Sequence, residues 1–163
     1  MQIRIGFGYD VHKLEEGLDF WLGGIKIPHT KGALGHSDAD VLIHAICDAL
    51  LGAANLRDIG FHFPDTAAEY KGIDSKILLK NVVDLLGNKN YIIGNIDCTI
   101  CLQSPMINPF VPQMIETLSV ILNIFQDQLS IKATTTEKLG FVGREEGISA
   151  YSVALIQRNQ DTN

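Results

Sequence analysis

The segment Gly6-Phe7-Gly8-Tyr9-Asp10-Val11-His12 puts a carboxylate and an imidazole two residues apart. Its aromatic and β-branched residues suit a strand, where side chains repeat with period 2, so Asp10 and His12 project from one face. Further along, His36-Ser37-Asp38-Ala39-Asp40-Val41-Leu42-Ile43-His44 supplies more donors. Asp10, His12 and His44 together make an Asp-x-His…His set. Three protein ligands with one position open is the pattern of a catalytic rather than a structural zinc site. Spacing alone leaves a second reading open, three unrelated polar residues, because D-x-H is short and common. Asp40, His44 and Asp48 recur at i, i+4 and i+8 along one helix face. A metal-bound His needs its other ring nitrogen held; Asp48 is a candidate for that task, or else a solvated helix residue. His29 and His62 belong to no ligand-spaced pair and read as ordinary residues.

A second group lies in residues 133–147, Ala-Thr-Thr-Thr-Glu-Lys-Leu-Gly-Phe-Val-Gly-Arg-Glu-Glu-Gly. Hydroxyls and backbone N–H groups bind phosphate oxygens, and glycines let the backbone approach. Glu137 suits a hard cation such as Mg²⁺, which prefers oxygen and often bridges substrate phosphates. Arg144 suits a phosphate or a carboxylate. The alternative is a polar turn with solvated charges.

These groups need elements to hold them. Residues 2–12 read as a first strand, and 19–22 and 25–27 as short strands around the Gly23-Gly24 turn. Residues 38–54 read as a helix with Ser37 as N-cap and Val41, Leu42, Ala45, Ile46, Ala49, Leu50 and Ala53 as its apolar face. Residues 55–70 read as a loop long enough to be functional. A second helix is predicted over 73–87, a long strand over 91–103 and a turn over 104–108. A third helix opens near Pro109 and runs to about Asn123. Strands over 129–136 and 148–158 finish the chain. The pattern predicts a single α+β domain spanning residues 1–163, a small sandwich with a mixed sheet and helices on one face, of the ferredoxin-like kind.

Composition narrows the function. The 163 residues carry a net charge of −6 and a pI near 5.2, which argues against broad nucleic-acid binding but allows a local phosphate pocket. No apolar run reaches the ~20 residues of a membrane span, and the first residues read as a strand rather than a leader, so a cytoplasmic protein is expected. Cys47, Cys98 and Cys101 do not suggest a disulfide framework. Cys98 and Cys101 match C-x-x-C in spacing, but in a strand an odd offset sends them to opposite faces.

G-x-D-x-H, H-S-D-x-D with a helical His after it, D-I-G…F-P-D-T, and A-T-T-T-E-K-L-G-F-x-G-R-x-E-G-I occur in that order. Over about residues 3 to 156 the chain resembles the 2-C-methyl-D-erythritol 2,4-cyclodiphosphate synthases of the non-mevalonate isoprenoid pathway. The resemblance implies that 4-diphosphocytidyl-2-C-methyl-D-erythritol 2-phosphate is cyclised with loss of CMP. It implies Zn²⁺ on Asp10, His12 and His44, and a second cation, Mg²⁺ or Mn²⁺, on Glu137 and substrate phosphates. His36 and Thr135 match transition-state stabilisers, and Ser37 a phosphate contact. Asp58, Ile59 and Gly60 match contacts to the ribose and erythritol moieties, and Phe63, Pro64, Asp65, Thr66 and Ala67 a flexible substrate loop. Ser104, Pro105, Met106, Ile107 and Asn108 match the cytosine pocket. Ala133, Thr134 and Thr136 join Thr135 and Glu137 in the substrate-binding run, and Phe141 and Arg144 match positions near the nucleotide and phosphates. Met106 stands where the family usually has Lys, and Ala67 where an acid is common; no physical account of either departure is at hand. The resemblance also implies a homotrimer with sites shared between adjacent subunits. A fused cytidylyltransferase, found in some relatives, would need more chain than this.

Two other readings compete. A small zinc hydrolase would act on a phosphoester or amide with His36 or Asp38 as base. A trimeric binding protein would hold a metal or an isoprenoid without turnover.

Overall fold

In the computed structural model, residues 2–64, 66 and 70–159 are described. The long strand β1 (Ile3–Glu16) runs the height of a five-stranded mixed sheet. It is flanked by β4 (Lys31–Leu34) and β7 (Gly147–Arg158), both antiparallel to it. Beyond β7 come β5 (Tyr91–Cys101), antiparallel to β7, and β6 (Leu129–Thr134), parallel to β5, giving the order β4-β1-β7-β5-β6. β2 (Phe20–Leu22) and β3 (Ile25–Ile27) pair as a separate hairpin. The helices are α1 (Val41–Ala53), the short α2 (Ile59–His62), α3 (Ser75–Asn88), α4 (Val111–Leu122) and the short α5 (Gly140–Gly143).

The expected elements are present, with several differences. β1 continues to Glu16 because β4 pairs with Lys13 to Glu16. β4 itself reads Lys-Gly-Ala-Leu, which carries no strand signal and is held by its partner. α2 interrupts the predicted loop, capped by Asp58, whose Oδ1 accepts from Phe61 N at 2.9 Å. α5 is four residues with glycine at both ends, too short for periodicity to detect.

α1 begins later than predicted, and its N-cap is Asp40, not Ser37. Ala39 has φ 56°, in the left-handed region, so no helix can run through it from residue 38. Ser37 Oγ accepts instead from Ala39 N at 3.1 Å. The fully buried Asp40 carboxylate accepts from Ile43 N (3.1 Å), Gly23 N (3.0 Å) and Gly24 N (2.7 Å), tying the β2–β3 turn to the start of α1.

α1 lies directly on the sheet over β1, β7 and β5. Gly6 and Gly8 make this contact possible: a Cβ on Gly6 would sit 1.9 Å from Ala49 O, and one on Gly8 1.9 Å from Ala45 O. A core of Leu42, Ile46, Leu50, Ile96, Ile100, Ile148 and Ile156 is sealed beneath α1 and its neighbours. Among the described residues, no helix lies over the middle of the sheet's other face. There Ile5 (67% exposed), Phe7 (63%), Tyr9, Val11, Tyr151 and Val153 stand open, with the Tyr9 and Tyr151 rings 5.0 Å apart. Among the described residues no helix is long and apolar enough to cross a membrane.

Candidate active site

Period 2 along β1 carries the glycine face upward: after Gly6 and Gly8 come Asp10 and His12, beside the first turns of α1. His44 on α1 meets them there. His12 Nε2 and His44 Nδ1 each lie 3.0 Å from Asp10 Oδ2 and 3.2 Å from one another. Among the described residues this is the one group of three metal-ligating side chains whose donor atoms converge.

The outer ring nitrogens have partners of their own. His12 Nδ1 lies 3.0 Å from Leu34 O, a carbonyl that can only accept, so Nδ1 carries a proton and Nε2 is the nitrogen left for the triad. His44 Nε2 lies 2.9 Å from Ser75 Oγ and 3.2 Å from Ser37 Oγ. Burial favours a neutral Asp10, but the hydrogen bonds and charges of His12 and His44 outweigh it and hold the carboxyl well below the usual carboxylate range. Burial likewise opposes charge on His12, and the hydrogen bond and charge of Asp10 outweigh it, raising its pKa.

This set fits zinc. A tetrahedral ion with bonds of about 2.0–2.1 Å needs donor atoms about 3.3 Å apart. The observed edges of 3.0, 3.0 and 3.2 Å come close to that, with two imidazoles and a carboxylate, the donors zinc prefers.

Asp48 does not hold His44, and it is not merely solvated. Its Oδ1 accepts from Ile59 N at 2.8 Å and anchors α2. Burial, and the nearby charges of Asp58 and Asp10, push its carboxyl up against the hydrogen bond from Ile59. His62 donates from Nε2 to Leu56 O at 2.8 Å, and the His29 ring packs 5.9 Å from that of Phe20, so both are structural. Cys98 and Cys101 face opposite sides of the sheet, Cys98 inward, where burial pushes its thiol up to about 12.

The triad opens into a cleft of about 300 Å³ lined by His12, His36, Ser37, His44, Ile59, Gly60 and Phe63, together with Tyr70, Ile73 and Leu78. Sequence reasoning missed the last three, which carry no chemical signature. Asp58 sits at the cap of α2, and Pro64 and Thr66 are exposed beyond it. Asp65 and Ala67 lie outside the described residues.

The second group forms a separate cleft of about 240 Å³ where β5 and β6 end. Pro105, Met106, Ile107, Asn108, Ala133, Thr134 and Thr135 line it with Leu102 and Gln103. Ser104 lies in the same segment, joined to Pro105 by a cis peptide bond. Thr135 Oγ1 donates to Glu137 Oε1 at 3.1 Å, and Thr136 Oγ1 to Leu139 O at 2.6 Å. Phe141 packs beside Gly147. Arg144 makes a two-pronged pair with Glu146 at 2.9 and 3.0 Å, so in this chain its partner is a carboxylate.

Among the described residues the two clefts share no lining residue. In register, Asp10 stands opposite Ala150, Ala150 opposite Ile100, and Ile100 opposite Ala133. Three strand spacings, about 14 Å, therefore separate the triad row from the Thr run within one chain.

Residues 3–157 match the model of the YgbB family. The 2-C-methyl-D-erythritol 2,4-cyclodiphosphate synthase of Bacteroides thetaiotaomicron is 63% identical over 159 residues, 98% of this chain and 100% of that protein. The bifunctional IspDF of Campylobacter jejuni superposes with a TM-score of 0.93 at 39% identity; 96% of this chain is covered, and 42% of that one. The IspF of Plasmodium falciparum in complex with CDP superposes with a TM-score of 0.85 at 38% identity over 97% of both chains. The family model and these likenesses span nearly the whole chain, the donor triad and the Thr-Thr-Thr-Glu run included, and the chain belongs to the YgbB family, that of the 2-C-methyl-D-erythritol 2,4-cyclodiphosphate synthases.

Proposed function

We propose that this chain converts 4-diphosphocytidyl-2-C-methyl-D-erythritol 2-phosphate to 2-C-methyl-D-erythritol 2,4-cyclodiphosphate and CMP. An oxygen of the 2-phosphate attacks the β-phosphorus. The bond from that phosphorus to the bridging oxygen breaks, and CMP leaves with the oxygen. Because attack is intramolecular, no protein nucleophile is needed; the work is positioning and charge neutralisation. The observation that carries this reading is the convergence of Asp10, His12 and His44 in one cleft with His36 and Ser37, in a chain of this family.

Zinc held by Asp10, His12 and His44 would supply positive charge to the phosphates. His36 and Ser37 on the cleft wall bind and orient the 2-phosphate, and the α2 segment, Asp58 to Phe63, contacts the sugar moieties. Thr135 binds the diphosphate, and Glu137 would hold a Mg²⁺ or Mn²⁺ that supplies further positive charge there. The cleft around Pro105 and Met106 receives cytosine, and Phe141 borders the nucleotide.

The chain works as one domain of the ferredoxin-like kind in a homotrimer, with the site between subunits. Two features support this: the exposed apolar sheet face around Ile5, Phe7 and Tyr9, and the ~14 Å between the two clefts within one chain. A cytoplasmic setting fits three unpaired cysteines.

The test is turnover in ¹⁸O-labelled water followed by phosphorus NMR. A cyclic diphosphate and CMP, both free of label, are expected. A linear, labelled product would make the protein a hydrolase, and no product despite bound CDP would make it a binding protein.

A further inference from the structure

Ser75 is the first residue of α3, fully buried, and has no place in the chemistry above. Its hydroxyl nevertheless lies 2.9 Å from His44 Nε2, the nitrogen that faces away from the triad. The same hydroxyl donates to Asp38 Oδ1, and Ser75 N donates to Asp38 Oδ2 at 3.0 Å. Asp38 also accepts from Asp40 N at 3.2 Å. A directional chain results. With Nδ1 of His44 turned to the triad as a lone pair, its Nε2–H donates to Ser75 Oγ, and the Ser75 O–H donates to the Asp38 carboxylate.

We propose that Ser75 and Asp38 are positioning residues for the metal centre, setting the tautomer and ring orientation of His44. The inference rests on reading Asp10, His12 and His44 as metal ligands. Three observations favour Ser75 over Ser37 in this role. Ser75 is the nearer to Nε2, at 2.9 against 3.2 Å. It is sealed from solvent, whereas Ser37 lines the open cleft and is free to meet substrate. Its own proton has a fixed acceptor in Asp38, so its oxygen lone pairs point back to His44. Asp38 is placed for this by the main chain: Asp38 N donates to Ile73 O at 3.1 Å, and Gly72 N to His36 O at 2.7 Å. The His36–Asp40 loop and the start of α3 are thereby fastened together, so the pair links the cleft wall to the metal ligand.

Outer partners of a metal-bound imidazole change metal affinity by roughly 10–100-fold when removed. Ser75→Ala should raise the Zn²⁺ dissociation constant by about that factor, measured with Zn²⁺ alone by competition against a chromophoric chelator. In the zinc-loaded protein, proton NMR should show the His44 imidazole N–H as a downfield, slowly exchanging resonance in wild type. It should move upfield and exchange faster in Ser75→Ala. A role in packing alone would lower the melting midpoint of the metal-free protein and leave both readouts unchanged, which would overturn the inference. Should Ser75→Ala not fold, Asp38→Asn carries the test: a several-fold loss of zinc affinity is expected, and wild-type affinity overturns the inference. His44→Ala separates the two levels. If it keeps zinc at wild-type affinity, the metal-centre reading itself fails. If it loses zinc while Ser75→Ala does not, only the positioning role fails.

Discussion

Asp10, His12 and His44 carry metal-donor atoms at spacings that strand and helix periodicity turn into a common face. The structure brings those atoms within 3.2 Å of one another. What stood out of reach were partners set by long-range contact: Ser75 meets Asp38 across 37 positions, and nothing local announces it. Ser37 and Asp48 were misread for a related reason. Both have the chemistry of the role given them, but the left-handed Ala39 moves the cap to Asp40, and the α2 backbone claims Asp48. Glu137 carries a prediction at this scale. It is exposed, and its hydrogen-bonding neighbour here is Thr135. Glu137→Gln should lower turnover by at least about a hundredfold, the scale of losing a charged stabiliser of a developing anion. Zinc content by elemental analysis should not change. Equal loss of zinc would put Glu137 among the triad's ligands and end the two-cation scheme.

Among elements, the contact between α1 and β1 decides where the site forms. Four residues of helix rise about 6 Å and two residues of strand about 6.6 Å. Ala53, Ala49 and Ala45 therefore keep step with Arg4, Gly6 and Gly8, and His44 lies near the next position, Asp10. The apolar periodicity of α1 was legible; that its backbone would rest on bare glycine was not, because Gly6 and Gly8 look like ordinary strand interruptions. Gly8→Ala tests the seam. Its Cβ would meet Ala45 O at 1.9 Å, and both atoms belong to rigid backbone. A loss of about 3 kcal/mol or more in urea unfolding is expected, at the upper end for overpacking. A loss under about 1 kcal/mol would mean that α1 can lift off β1 without cost.

For the whole molecule, the question is where a cytidine-bearing substrate finds both clefts. In the proposed homotrimer, a neighbouring chain's Thr run would meet the first chain's triad. His12→Ala removes one half-site. A bulky residue in place of Ala133, on the wall of the other cleft, removes the second. Mixed and reassembled, the two inactive proteins should recover part of the wild-type rate in a CMP-release assay, since some interfaces pair two intact halves. No recovery in verified mixed assemblies would put the complete site within one chain. Alternation along β1 marks Ile5, Phe7, Tyr9 and Val11 as one apolar face without saying what covers it.

That second face bears on heat. Ile5, Phe7, Tyr9, Val11, Tyr151 and Val153 give the single subunit a wet apolar wall, and if the proposed homotrimer covers it, a subunit freed from its neighbours loses whatever that wall contributes. Melting then changes the number of particles, and dilution favours the side with more of them. The midpoint in a calorimeter should climb by several degrees as protein concentration is raised a hundredfold, with zinc held saturating. A concentration-independent midpoint would mean that each subunit stands on its own core, and that the open wall is tolerated rather than used.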